Sequence, residues 1–113
     1  MIETDRVADV FSKVDRAEFC QIYEKEPYDN KPKPIGCGVN ISAPHMHAYC
    51  LEWLEKVLKP GARCLDVGSG GGAMLAMFYE MTKQTDGKAN IFGIEHMKEL
   101  ADFGNENLKK SYK

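Results

Sequence analysis

The 113-residue chain has little of several features that mark specialised proteins. Its net charge is only −2, which gives no electrostatic reason to expect nucleic acid or an anionic membrane as a partner. The longest apolar run, residues 73–79, is too short to cross a bilayer. The first residues are polar and acidic, so neither a secretory signal nor a transit peptide is predicted. We expect a cytoplasmic protein with one modest core and no membrane contact.

The chain also lacks any CxxC pair of cysteines. Its four cysteines stand at positions 20, 37, 50 and 64. Without an export signal they are expected to be reduced thiols. A zinc site built from Cys37, His45, His47 and Cys50 would have a ligand spacing that matches no familiar zinc pattern. No metal site is predicted.

What the chain does have is a glycine-rich turn between an apolar strand and a helix-forming segment, at residues 65–78. This arrangement brings the backbone of an α/β protein close to a nucleotide-like ligand. A second apolar run, residues 90–94, ends in Glu95, where a carboxylate is placed to accept hydrogen bonds from both hydroxyls of a ribose. The two strands predict a ligand that contains adenosine.

The glycine pattern alone leaves the identity of the ligand open. Gly68, Gly70 and Ala73 satisfy the loose dinucleotide pattern, and a purely structural turn would also use glycine. Asp66 argues against a pyrophosphate because like charges repel, whereas it would attract an ammonium group. S-adenosylmethionine has an ammonium group for Asp66 and an adenosine for Glu95, so it is preferred to a dinucleotide.

The rest of the chain predicts a helix, a loop, a second helix and then β-α-β-α. Thr4 is expected to cap a first helix that ends near residues 15–17, and the proline- and glycine-rich residues 24–40 are predicted as loop. Strands are expected at 62–67 and 90–95, and helices at 72–83 and 97–110. This alternation indicates a parallel sheet covered by helices, with the ligand at the carboxyl ends of the strands. We divide the chain into a helical segment, 1–61, and a β-α-β-α unit, 62–113, within one structural domain.

The second helix is predicted to open at Ser42, with Pro44 in its first turn, and to stop at Pro60. Its apolar face is expected to comprise Met46, Tyr49, Cys50, Trp53, Leu54, Val57 and Leu58. The Ser42 hydroxyl beside the free N–H groups of the first turn would favour a carboxylate, although it could simply cap its own helix. His45 and His47 lie on different sides of this helix, so only one of them can face a given site, and either could be a solvated or hydrogen-bonded histidine.

Two strings carry a specific resemblance. Residues 34–48, PIGCGVNISAPHMHA, and residues 65–72 with 93–100 resemble the protein-L-isoaspartate O-methyltransferase family. Asp15-Arg16-x-x-Phe19 and Pro27-Tyr28-Asp29 fit as well, apart from the spacing of Asp29, which follows Tyr28 directly. The likeness runs from about residue 5 to the C-terminus. Two departures are Gly71, where the family usually has serine, and a longer segment at 83–90.

The resemblance implies a Rossmann-like fold that uses S-adenosylmethionine to methylate the free carboxylate of isoaspartyl residues in damaged proteins. It implies that Ser42 is the active-site residue that holds the substrate carboxylate. It implies that isoaspartyl proteins and peptides are the partners, that nucleic acid is not, and that the protein is a monomer. The cofactor residues that it implies are Val39, Asn40, Ile41, Ser42, His47, Asp66, Gly68, Ser69, Gly70, Gly72, Glu95 and His96.

The chain has about half of the family's usual extent, so the expected fold is truncated after the second strand and its helix. Two parallel strands are not expected to be stable alone. We therefore expect a weakly folded chain that is inactive by itself. The alternatives are another S-adenosylmethionine-dependent methyltransferase and a non-catalytic fragment that binds the cofactor weakly or pairs with another chain.

Overall fold

A computed structural model of the chain describes residues 2–110. Four α-helices lie in this range: α1 Asp5–Lys13, α2 Pro44–Leu54, α3 Ala73–Thr82 and α4 Lys98–Lys109. The strands are β1 Lys33–Gly36, β2 Val39–Ile41, β3 Arg63–Val67 and β4 Asn90–Ile94, and a 3-10 helix, Arg16–Phe19, follows α1. Within residues 2–110 no helix combines the length and the apolar character needed to cross a lipid bilayer.

Helix α1 forms as its sequence predicts. The Thr4 hydroxyl accepts a hydrogen bond from the Val7 amide at 3.4 Å, which satisfies one of the free N–H groups at the helix start. Val7 and Val10, one turn apart, are buried and pack in the core beside α3. The helix ends at Lys13, slightly earlier than expected.

The prediction that residues 24–40 are all loop is wrong, because β1 and β2 form an antiparallel hairpin there. The hairpin turn consists of Gly36, Cys37 and Gly38, which all have positive φ (103°, 55° and 71°). Glycine reaches that region without strain, so these residues shape the turn and do not break the strands. Pro34 removes one donor from a short two-stranded ladder, which tolerates it.

The prediction that α2 opens at Ser42 is also wrong, because the helix begins at Pro44, and the alternative that Ser42 caps it does not hold either. The N-cap residue is Ala43, which makes no side-chain capping bond. The side chain of Asn30, from the preceding loop, takes this role, since its Oδ1 accepts the His45 amide at 3.0 Å. A cap supplied from a distant loop leaves no local signal in the sequence.

The predicted length and buried face of α2 need correction too. The helix ends at Leu54, and the side chains buried from it are His47, Ala48 and Leu51. The expected apolar face is largely exposed, with Trp53 81% exposed and stacked on Tyr49. The helix rotation is decided by what α2 packs against, and helical spacing alone selected the wrong face.

Strands β3 and β4 pair in parallel, as predicted, with Asp66 opposite Gly93. Helices α3 and α4 also agree with the prediction to within one residue at each end. Helix α3 packs against this sheet, but only one face is covered in the described part of the chain. The exposed apolar side chains of the other face are Leu65, Val67, Phe92 and Ile94.

Candidate ligand site at the glycine loop

The glycine loop, residues 68–72, leads from the end of β3 into α3. Gly68, Gly70 and Gly72 have φ values of 84°, 53° and 91°, a region in which a side chain would be strained. The loop amides are tied to the end of β4. The Gly68 amide donates to the Ile94 carbonyl at 2.7 Å, and the Gly70 amide donates to Glu95 Oε1 at 2.9 Å. These hydrogen bonds hold the loop close to the ends of both strands.

Helix α4 supports the glycine loop from the other side. Gly104 is buried against the loop, and an added Cβ there would lie only 3.0 Å from the Gly70 carbonyl oxygen, so the close approach of the two backbones favours glycine. One turn further on, the buried Asn107 side chain donates to the Gly71 carbonyl at 2.9 Å. At Gly71 itself, a Cβ would lie 3.1 Å from the Phe103 ring, so this close packing favours glycine where the resemblance predicts serine.

A cavity of about 200 Å³ lies between the glycine loop, the hairpin and the first turns of α2 and α3. It brings together two motifs that stand more than 20 residues apart in the sequence. The predicted cofactor residues that line it are Val39, Asn40, Ile41, Ser42, His47, Asp66, Gly68, Ser69 and Gly70. The structure thus places the candidate acceptor residue and the glycine loop on one cavity.

The other predicted cofactor residues lie elsewhere. Gly72 and Glu95 line a second cavity of about 280 Å³ on the α4 side of the glycine loop, which Ser69 and Gly70 also line. His96 lines neither of these two cavities, and its side chain is 90% exposed. Its role remains a prediction.

The pKa values of the two acids at the strand ends, Asp66 and Glu95, are shifted in opposite directions. Burial raises the pKa of Asp66, and the negative charge of Glu95 raises it further. Hydrogen bonds from the backbone amides of Met97 and Gly70 lower the pKa of Glu95. Both carboxylates leave lone pairs for further donors. The region suits a ligand that presents N–H, O–H or ammonium groups.

His47 lies in the first turn of α2 and is only 6% exposed. Burial, with a smaller contribution from the positive charge of Arg16, lowers the pKa of His47 from 6.5 to about 4. The imidazole is therefore neutral at pH 7. Its Nδ1 is buried and has no hydrogen-bond partner among the described residues. A buried polar atom without a partner carries a cost in free energy, and the His47 residue lines the cavity together with Ser42.

Ser42 lies just before α2, and the residue is exposed at the cavity. Its carbonyl oxygen accepts a hydrogen bond from Arg16 Nη1 at 2.8 Å. Sequence reasoning gave neither Arg16 nor Asn107 a role in the site. A signal for Asn107 does exist, since a polar residue follows Leu100 and Gly104 on the buried side of α4. Arg16 has no comparable local signal, because its partners are backbone carbonyls.

These features define a class. A parallel β-α-β unit with a glycine loop, an acid at or just after the end of each strand and cavities beside the loop is a Rossmann-like nucleotide-binding arrangement. A solved structure from Plasmodium falciparum, assigned as a protein-L-isoaspartate O-methyltransferase and determined in complex with S-adenosyl-L-homocysteine, has the same fold. It superposes with a TM-score of 0.89 at 38% identity, over 98% of this chain and 50% of that one.

The family model for protein-L-isoaspartate (D-aspartate) O-methyltransferase matches residues 1–113. The chain belongs to this family. It is 46% identical over 111 residues to the protein-L-isoaspartate O-methyltransferase of Triticum aestivum and 36% identical over 109 residues to that of Caenorhabditis elegans. These alignments cover 98% and 96% of this chain and 46% of each relative, so the chain spans about half the length of the curated relatives it matches.

Proposed function

We propose that this chain carries the cofactor-binding and acceptor-positioning part of a protein-L-isoaspartate O-methyltransferase. The supporting observation is the shared cavity, on which Ser42 and residues 39–41 meet Asp66 and the glycine loop. The proposed cofactor is S-adenosylmethionine. The proposed substrates are proteins and peptides that contain isoaspartyl residues.

The residues present fit this cofactor. Gly68, Gly70 and Gly72 have positive φ and no Cβ, so the loop backbone can approach a ligand closely at these positions. Asp66 offers a carboxylate to an ammonium group, Glu95 offers one to ribose hydroxyls, and His47 has an unpartnered nitrogen. When bound, S-adenosylmethionine supplies a methyl group on a sulfonium, which is already electrophilic.

The chain's own residues then have a positioning task. A substrate carboxylate is ionised at neutral pH, with an unperturbed pKa of about 3.9, so it needs no strong general base. The Ser42 hydroxyl donates to one carboxylate oxygen and orients it. Orientation of this kind contributes up to roughly 7–11 kcal/mol. A single hydroxyl orients the anion without stabilising the ground state so strongly that rate is lost.

Calorimetric titration with S-adenosylhomocysteine tests the cofactor assignment. We expect the wild-type chain to bind and Asp66→Asn to weaken binding about 10-fold or more, because a charge-assisted hydrogen bond to the ammonium group is lost. Asp102→Asn, which removes an exposed acid on α4, serves as the matched control. Absence of binding by the wild-type chain, folded as judged by circular dichroism, would contradict the proposal.

Methyl transfer to an isoaspartyl peptide tests the acceptor assignment. The cavity of about 200 Å³ is smaller than typical ligand sites of about 300–1,000 Å³, so we expect turnover well below that of a full-length relative. In a chimera completed with the remaining half of such a relative, Ser42→Ala should lower kcat and leave S-adenosylhomocysteine affinity nearly unchanged. Ser12→Ala on α1 is the control. A Ser42→Ala variant that keeps full kcat contradicts the role of the hydroxyl.

A non-catalytic binding fragment is the second candidate function. The exposed apolar side chains on the uncovered face of the β3–β4 sheet favour it. Cofactor binding without turnover in the chain alone, followed by turnover in the chimera, would support this reading for the isolated chain. Methylation of a non-peptide acid, and not of the isoaspartyl peptide, would point to a different methyltransferase.

A further inference from the structure

Arg16 is the central residue of a hydrogen-bond cluster beside the candidate site. It is only 8% exposed, and its guanidinium donates to three backbone carbonyls from three places in the chain. Nε donates to Pro27 at 2.5 Å, Nη2 to Lys31 at 3.1 Å and Nη1 to Ser42 at 2.8 Å. Burying a cation is costly, and these bonds offset that cost. A rigid fork that serves three diverging acceptors fixes their relative positions.

The loop that Arg16 contacts is itself anchored. The Lys33 ammonium, on β1, lies 3.5 Å from a Glu24 carboxylate oxygen and 3.6 Å from one of Asp29. The hydroxyl of Tyr28 donates to Asp15 at 2.6 Å, which ties the same loop to the segment that carries Arg16. The Arg16–Ser42 hydrogen bond therefore connects the cavity wall to a loop that other contacts already hold in place.

We propose that Arg16 is a positioning residue that fixes the Ser42 carbonyl, and with it the wall of residues 39–42, at the glycine-loop cavity. The identity of the ligand in this proposal rests on the proposed function. The role of Arg16 in holding residues 39–42 in place does not depend on it. Arg16 bonds to the backbone of this wall at Ser42, and it is not among the residues that line the cavity. It acts through Ser42 and touches no reacting group.

The chain contains a matched control in Arg6. Its guanidinium also binds backbone carbonyls of distant segments, those of Glu55, Leu58 and Met81, and it pairs with the Glu55 carboxylate. Arg6 joins α1 to the residues that follow α2 and to the end of α3, and it does not line the cavity. Arg6→Lys and Arg16→Lys thus make the same chemical change in two arginines that each bind several backbone carbonyls. Only Arg16 binds Ser42. Lysine keeps the charge and loses the planar fork.

Amide hydrogen exchange of the ligand-free chain is the first measurement. Arg16→Lys should speed exchange in residues 39–47 by roughly 10-fold, because local opening becomes easier when a bond to a charged group is lost. These residues include the amides of Met46 and His47, which donate to the Ala43 carbonyl. Arg6→Lys should instead speed exchange at Gly61, whose amide donates to Thr82.

Titration with S-adenosylhomocysteine is the second measurement. Arg16→Lys should weaken affinity several-fold at a temperature where both variants are folded, while Arg6→Lys leaves it unchanged. Unaltered exchange at residues 39–47 in Arg16→Lys overturns the proposal, and so does faster exchange with unaltered affinity. If the wild-type chain does not bind S-adenosylhomocysteine, the cofactor assignment fails and exchange alone decides the role of Arg16. Arg16→Gln repeats both measurements, and global unfolding of both Arg16 variants would show a folding role and overturn positioning.

Discussion

Neutral, buried His47 should make the chain sensitive to mild acid. Because the folded-state pKa of His47 is lowered from 6.5 to about 4, unfolding exposes a stronger base that takes up a proton. The contribution of His47 is fully present above pH 6.5 and is lost as the pH falls toward 4. A shift of about 2.5 units at about 1.36 kcal/mol per unit amounts to about 3 kcal/mol in total. About 2 kcal/mol of this should be gone by pH 5.

The variant His47→Phe isolates this effect, because it keeps a ring in the buried position and removes the titrating nitrogens. Between pH 7 and pH 5 we expect the free energy of unfolding of wild type to fall by about 2 kcal/mol more than that of His47→Phe. Urea denaturation followed by circular dichroism measures both curves. A difference in stability between the variant and wild type at a single pH does not affect the test, since only the pH dependences are compared.

His45→Gln is the control for this experiment, since it removes the exposed histidine of the same helical turn and retains His47. It should show the wild-type slope. Parallel curves for wild type and His47→Phe would refute the reasoning, because they would mean that His47 titrates alike in the folded and unfolded chain.

Three further substitutions test the supports of the site, each by urea denaturation. Gly104→Ala should cost about 1–3 kcal/mol, since its Cβ would meet the Gly70 carbonyl at 3.0 Å, and it should also weaken S-adenosylhomocysteine binding. Asn30→Ala should cost about 1 kcal/mol, because the His45 amide loses its capping partner. Asp66→Asn should be more stable than wild type at neutral pH. Burial raises the pKa of Asp66, so the wild type loses stability as the pH rises through that raised value, and the variant does not.

Each of these three substitutions has its own contradicting result. A Gly104→Ala chain with unchanged affinity would show that the glycine loop tolerates displacement. An Asn30→Ala chain as stable as wild type would mean that solvent replaces the cap at no cost. Equal stability of Asp66→Asn and wild type from pH 4 to pH 8 would show that the carboxylate is not destabilised by burial.

The β-α-β-α unit was predictable because its signals are local. An apolar strand, glycines at the positions of positive φ and an acid at or just after each strand end all occur within short windows, and parallel pairing follows from the helix between the strands. The hairpin is not predicted because proline and glycine usually interrupt strands, whereas here Gly36 and Gly38 form its turn. Helical spacing predicts the wrong buried face for α2, because the buried face includes His47 and Ala48, and the packing of the helix against the rest of the chain decides which face is covered.

What the sequence determined by itself is the family and the residue types at the site, because Asp66, Glu95, the glycine loop and the Ser42 string are contiguous patterns with a chemical meaning. Tertiary structure decided how these patterns meet. It placed Ser42 on the same cavity as Asp66, capped α2 with Asn30 and joined Arg16 to the Ser42 carbonyl. Each of these contacts links residues well separated along the chain, often through backbone atoms that every residue has. Such contacts leave no mark in residue type, and only the folded chain reveals them.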